Sequence, residues 1–195
     1  MSTYTIPNVI TGGVGGERIM NVYSHLLSER IVYLGTGIDS GVANALIAQL
    51  LYLEADNPER EINLYINSEG GDPSAMLALY DTMRFIKAPV ATTCIGQAVA
   101  AGAVLLAAGQ AGHRFVLPHT RVVLHQPAAQ GRGTIPDLIL QADEVVRVRT
   151  QLEEILSAHT GRDVASLRVD TDRDRVFDAA GAIAYGLADQ VLDTR

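Results

Sequence analysis

Two segments of this chain place small residues where a strand runs into a helix, and a third ends a strand on a histidine. The first, Gly96-Gln97-Ala98-Val99-Ala100-Ala101-Gly102-Ala103, follows an apolar run over 90–95 and opens an aliphatic run over 103–108. The pattern predicts a strand turning sharply into a buried helix. Crowding at such a turn excludes large side chains, and the first N–H groups of a helix lack intrahelical acceptors, so they face whatever lies in front of them. An oxyanion hole uses that geometry. A nucleophile belongs at the turn itself, residue 100, where this chain carries only a methyl group. The second segment, Ser68-Glu69-Gly70-Gly71-Asp72-Pro73, links a strand-like run over 62–67 to an amphipathic helix over 74–86. Its paired glycines and a proline in the first helical turn again mark a tight turn with exposed backbone donors.

On residue type alone, each candidate also has a plainer reading. Glycine and alanine permit close helix packing. His125, in Arg121-Val122-Val123-Leu124-His125-Gln126-Pro127, ends a β-rich run stopped by proline; a single histidine there is more often structural than catalytic. Asp174, in Asp170-Thr171-Asp172-Arg173-Asp174-Arg175, sits in a charge pattern that by itself reads as a solvated loop of ion pairs. Ser68, Ser74 and Cys94 lie nearby, but nothing in their spacing offers a substitute nucleophile.

Taken together, these four segments resemble the Clp protease family of self-compartmentalised serine peptidases. The family's serine motif, its His-Gln-Pro and its aspartate fall at positions 100, 125 and 174, at intervals of 25 and 49 residues. Further segments agree in order and spacing: Glu29-Arg30-Ile31-Val32-Tyr33-Leu34, Tyr65-Ile66-Asn67-Ser68, Tyr80-Asp81-Thr82-Met83, Leu105-Leu106-Ala107-Ala108-Gly109 and Tyr185-Gly186-Leu187-Ala188-Asp189. The resemblance runs from about Glu17 to Leu192. It implies that position 100 is the nucleophile, His125 the general base, and Asp174 the group that orients and stabilises the imidazolium. The N–H groups of Gly71 and Ala101 would form the oxyanion hole. Alanine has no oxygen to attack a carbonyl, so the chain as it stands is expected to be inactive. Two origins of Ala100 are open: an engineered Ser→Ala change in an otherwise active enzyme, which retention of both His125 and Asp174 favours, or a naturally silent structural or regulatory subunit of a mixed assembly. A distant alternative is an acyl-CoA enzyme of the crotonase superfamily, which also uses two backbone donors.

The resemblance further implies a crotonase-like α/β fold: a single domain over 1–195, with a head and a projecting handle over 128–159. Two stacked seven-membered rings of this subunit or its paralogues would form a chamber that degrades unfolded polypeptides. Residues 128–135 would be a short strand pairing across the ring interface, and Asp172 with Arg173 an ion pair linking ring contact to Asp174. Residues 1–17 are expected to be a mobile axial segment. An unfolding ATPase, which uses the ATP, would dock in an apolar pocket between neighbouring subunits, formed by Leu51, Tyr52, Tyr65 and Phe85 together with Ile95, Phe115, Leu117 and Leu192. Asn63 and Thr93 stand where the family commonly carries apolar or aromatic residues, and an amide or hydroxyl there would weaken docking of an apolar loop; Glu69 replaces the family's proline before the paired glycines.

Composition agrees with this reading. A chain of 195 residues is one domain by the usual prior and buries about 70% of its unfolded surface. A net charge of −7 leaves no basic stripe for nucleic acid. No apolar stretch of membrane-spanning length is free of polar breaks. The start, Met1-Ser2-Thr3-Tyr4-Thr5-Ile6-Pro7, lacks a basic region followed by an apolar core; with a single cysteine that cannot form an internal disulfide, this predicts a cytoplasmic protein. The other histidines show no metal-ligand spacing, and no Gly-x-x-x-x-Gly-Lys motif occurs, so neither a metal nor an organic cofactor is expected.

The elements that must position these residues follow from periodicity. Strands are predicted at 31–34, 62–66, 90–95, 114–117 and 121–124, alternating with helices at 41–55, 74–86 and 98–108. Asp39-Ser40 caps the first helix, with Leu46, Ile47, Leu50, Leu51 and Leu53 on or near its apolar face. A long helix from Pro136 to His159 follows, with Leu138, Val145, Val148, Leu152, Ile155 and Leu156 as buried candidates. Its remaining apolar positions demand a partner.

Overall fold

The computed structural model describes residues 5–13, 16–127 and 131–194. Its centre is a seven-stranded sheet. Ile31–Leu34 (β3), Ile62–Ser68 (β4) and Val90–Val99 (β5) pair in parallel, and β5 pairs on with Arg114–Val116 (β6), itself parallel to Gln190–Val191 (β9). Arg121–Leu124 (β7) leaves this path: it pairs with the end of β5 and, antiparallel, with Arg175–Phe177 (β8). Parallel neighbours need crossover helices, here Ser40–Asp56 (α2), Pro73–Phe85 (α3) and Ala101–Ala107 (α4). The core between sheet and helices includes Leu50, Ile66, Met76, Leu79, Leu105 and Leu106, each no more than 1% exposed. The predicted α/β alternation is therefore present.

The strand at 31–34 and the cap at Asp39 match expectation; Val42 N donates to Asp39 Oδ1 at 2.8 Å. The helix expected over 98–108 starts later, because β5 continues to Val99. Gly96, at φ 104°, bends that strand: a Cβ there would lie 2.7 Å from Asn67 Oδ1. Up to Cys94 the strand pairs with β6, and from Gln97 it pairs with β7. This change of partner carries the chain to Ala100.

The described part of the N-terminal segment, expected from its glycines to be mobile, contains regular elements. Asn8–Gly13 (β1) and Gly16–Asn21 (β2) form an antiparallel hairpin running into a short helix, Val22–Ser28 (α1), capped by Asn21. The long helix, Ile135–Thr160 (α5), has a complete capping box of Thr134 and Asp137. All side chains over 135–144 are exposed, about 15 Å of helix at 1.5 Å per residue. Leu138, expected to be buried, is thus 39% exposed, beside Ile139 and Leu140. Only the later half packs, through Val148, Glu153 and Leu156, against α4 and Val164–Asp170 (α6). Residues 131–134 form no strand, and 128–130 lie outside the described residues. Ala179–Tyr185 (α7) completes the order. Arg114 ties the helix ends together, donating to the carbonyls of Ala107, His159 and Gly186. A cation suits those negative helix C-termini.

Candidate functional site

The two strand-to-helix junctions meet. After β4 the chain turns through Gly70, at φ 93°, and Gly71, at φ 149°. Ile38 N donates to Gly70 O and Asp72 N donates to Ile38 O, both at 2.7 Å, which fixes the turn as a parallel bridge. Asp72 caps α3, accepting from Ala75 N, and Pro73 starts it. The bridge leaves the Gly71 N–H without an acceptor among the described residues. A Cβ on Gly71 would lie 2.1 Å from Ile38 O, so only glycine fits.

The second junction turns on Ala100, at φ 47° and ψ −105°. For a residue with a Cβ this backbone is strained. It is held on both sides: Ala100 N donates to Val123 O at 2.8 Å, and Val104 N donates to Ala100 O at 3.0 Å. Ala101, the first residue of α4, has no intrahelical acceptor for its N–H. The junctions abut closely enough that a Cβ on Gly70 would sit 3.4 Å from Ala100 Cβ and 3.6 Å from Ala101 N. The two expected donors and the expected nucleophile position thus share one place.

A cavity of about 200 Å³ opens there, lined by Gly71, Ala100, Ala101 and His125, with Met76, Val104, Leu124 and Leu156 among its apolar walls. His125 follows β7 directly. Its Nδ1 lies 2.8 Å from Gln126 O, and a carbonyl oxygen only accepts, so Nδ1 carries the proton. Asp174 is not joined to it. The β7–β8 register ends at Leu124 opposite Arg175, so its next step would set His125 opposite Asp174. Yet Asp174 is exposed and has no hydrogen bond or ion pair among the described residues. Asp172 and Arg173 are 3.9 Å apart and both exposed.

Sequence reasoning missed the groups that hold this region. Glu153, 2% exposed, lines the cavity and binds both Arg149 and Arg168. Arg149 Nη1 donates to Gln126 Oε1 at 2.7 Å. The signal available was the i, i+4 spacing of Arg149 and Glu153 on one helix face.

Of the neighbouring nucleophiles, Ser74 is exposed at the start of α3, while Ser68 and Cys94 are enclosed. Ser68 is fully buried, its hydroxyl accepting from Gly70 N at 3.1 Å. Cys94 is fully buried, and burial pushes its thiol up to about 12. Among the described residues, no three His, Cys, Asp or Glu side chains are placed to share a metal ion. No helix among them is long and apolar enough to cross a membrane.

A second cavity, about 530 Å³, lies across the sheet and is lined by Tyr65, Ile95, Leu117 and Leu192, four of the eight residues expected in a docking pocket. Thr93 joins its wall, as do Tyr23 and Leu26 of the unexpected helix α1. Leu51, Tyr52 and Phe85 are not in that wall; they are exposed on α2 and α3 at 44, 60 and 83%. Phe115 is half-buried and also outside it.

A sequence model of the Clp protease family matches residues 14–195. The chain is 69% identical to the ATP-dependent Clp protease proteolytic subunit 1 of Nocardia farcinica, with both chains covered completely. It is 59% identical to the proteolytic subunit 2 of Streptomyces avermitilis, over all of this chain and 98% of that one. To the proteolytic subunit 4 of Rhodococcus jostii it is 61% identical, over 98% of this chain and 99% of the relative.

Proposed function

This chain belongs to the Clp protease family, and from that premise we propose that it is a chamber subunit of an ATP-dependent Clp serine endopeptidase whose nucleophile position holds alanine. The observation that carries the reading is the backbone of Ala100, held at φ 47° beside the N–H groups of Gly71 and Ala101, which have no acceptor among the described residues. With serine there, Oγ would attack the scissile carbonyl while His125 Nε2 takes its proton. The two N–H groups would then stabilise the oxyanion, and His125 would return the proton to the leaving amine. With alanine the site holds a peptide but forms no acyl bond.

Asp174 would stabilise the imidazolium once ring contact through Asp172 and Arg173 brings it to His125, so catalysis would be coupled to assembly. Two stacked rings of this subunit or its paralogues would form the chamber, built on the exposed apolar start of α5. A partner ATPase would supply unfolded polypeptide in the cytoplasm. It would dock between neighbouring subunits, which fits the division of the apolar residues into one cavity wall and a separate exposed set. ATP belongs to that partner, and no cofactor to this chain.

An engineered Ser→Ala change explains why His125 and Asp174 remain. The second reading, a naturally silent subunit of a mixed assembly, is favoured by the unjoined state of Asp174 and by the numbered subunit names of the relatives. Hydrolysis of a short fluorogenic peptide by the Ala100→Ser protein tests both. Turnover by the purified protein alone supports the first; turnover only after mixing with paralogous subunits supports a competent site that needs a partner ring. No contribution in either assay leaves a scaffold and defeats the peptidase reading.

A further inference from the structure

One buried carboxylate near the cavity has no part in the chemistry above. Glu153 is 2% exposed. Burying a carboxylate is unfavourable unless it is paired and fully hydrogen-bonded, and here it is both. Oε1 accepts from Arg149 Nε at 2.8 Å, and Oε2 accepts from Arg168 Nε at 3.0 Å and Nη2 at 2.6 Å. The pairing leaves the other end of the Arg149 fork free to reach out, with Nη1 on Gln126 Oε1 at 2.7 Å and Nη2 on Arg168 O at 3.0 Å.

Gln126 is the hinge of this arrangement. Its backbone N donates to Thr171 O at 2.8 Å and its Nε2 to Asp172 O at 3.1 Å, while its carbonyl accepts from His125 Nδ1. One line of hydrogen bonds, charge-assisted at Arg149, therefore runs from α5 through Gln126 to the histidine, and the same residue touches the segment that leads to Asp174. A ring that donates through Nδ1 leaves Nε2 bare, the tautomer a general base needs. With Asp174 apart, the backbone carbonyl is what holds Nδ1 in the single subunit.

We infer that Glu153 is a positioning residue which, through Arg149 and Gln126, fixes the His125 ring as its Nδ1–H tautomer. A serine-peptidase role for His125 rests on the function proposed above; the tautomer itself does not. Because the fork must satisfy Glu153 and Gln126 together, lysine cannot replace Arg149.

The test uses the full chain with 13C,15N-labelled histidine, the His125 signals being assigned by their loss in His125→Gln. The Ala100 protein is expected to show His125 as the Nδ1–H tautomer, and both Glu153→Gln and Arg149→Lys should lose that preference with the other histidine signals unmoved. In the Ala100→Ser background the same two variants should lower kcat roughly tenfold to a hundredfold, the scale of a misplaced catalytic group, with KM within about twofold. Arg149→Lys, which keeps a cation beside Glu153, supplies the answer if Glu153→Gln does not fold. An unchanged His125 tautomer in a folded variant overturns the inference, whatever the activity. A changed tautomer with no turnover from any Ala100→Ser protein, alone or mixed with paralogous subunits, upholds the positioning role and overturns the peptidase reading instead.

Discussion

At the end of β4 the chain turns through two glycines at φ 93° and 149°, whereas at the end of β5 it turns through one alanine at φ 47° and ψ −105°. Both turns expose a backbone N–H to the same cavity. The glycine turn has no room for a side chain, since a Cβ on Gly71 would strike Ile38 O at 2.1 Å. The alanine turn keeps a Cβ in the cavity wall although glycine would adopt its backbone with less strain. A turn that served only to present an N–H would be built like the first. The second is built like one that must present a side chain, and the surrounding bonds to Val123 and Val104 hold that geometry around a methyl group.

The comparison can be broken at several points. In the Ala100→Ser protein, His125→Ala should reduce kcat by roughly a hundred-thousandfold to a millionfold, measured by peptide turnover, because nucleophile and base act as one unit. Gly71→Ala should destabilise the fold by about 3 kcal/mol in chemical denaturation, through the clash and the positive φ together. Ala100→Gly should do the opposite: relief of strain is worth about 1 kcal/mol, a rise in Tm of about 2–4 °C for a chain of this size. Changes of opposite sign at the two turns would sharpen the contrast; a destabilising Ala100→Gly would remove it. The smallest effect belongs to Cys94, whose buried, up-shifted thiol should resist iodoacetamide at pH 8 until the protein unfolds, by mass spectrometry of the alkylated chain.

Much of the site was legible because its signals are local. Alternating burial marks β3 and β4, and the Gly-Gly-Asp-Pro turn states its own chemistry through conformational freedom, a cap and a proline. The end of β5 was not legible, because the exchange of β6 for β7 at the Gly96 bend is set by pairing with segments twenty or more residues away. The spacing of His125 and Asp174 agrees with the β7–β8 register, but ring orientation depends on a competing acceptor, Gln126 O, that no periodicity reveals. Glu153 was overlooked for a similar reason. A glutamate on a charged helix reads as a solvated face until two arginines are seen to close over it. The hairpin over β1 and β2 was hidden by glycines that read as loop.

The central claim is that residue 100 occupies a nucleophile position, with two backbone donors and a histidine on the same cavity. Its most direct test is intact-mass analysis of the Ala100→Ser protein treated with diisopropyl fluorophosphate, alone and after mixing with paralogous subunits, followed by mapping of the adduct. A single adduct on residue 100, lost when His125 is replaced by alanine, is the predicted result; a folded Ala100→Ser protein with no adduct at residue 100 under either condition would contradict the account.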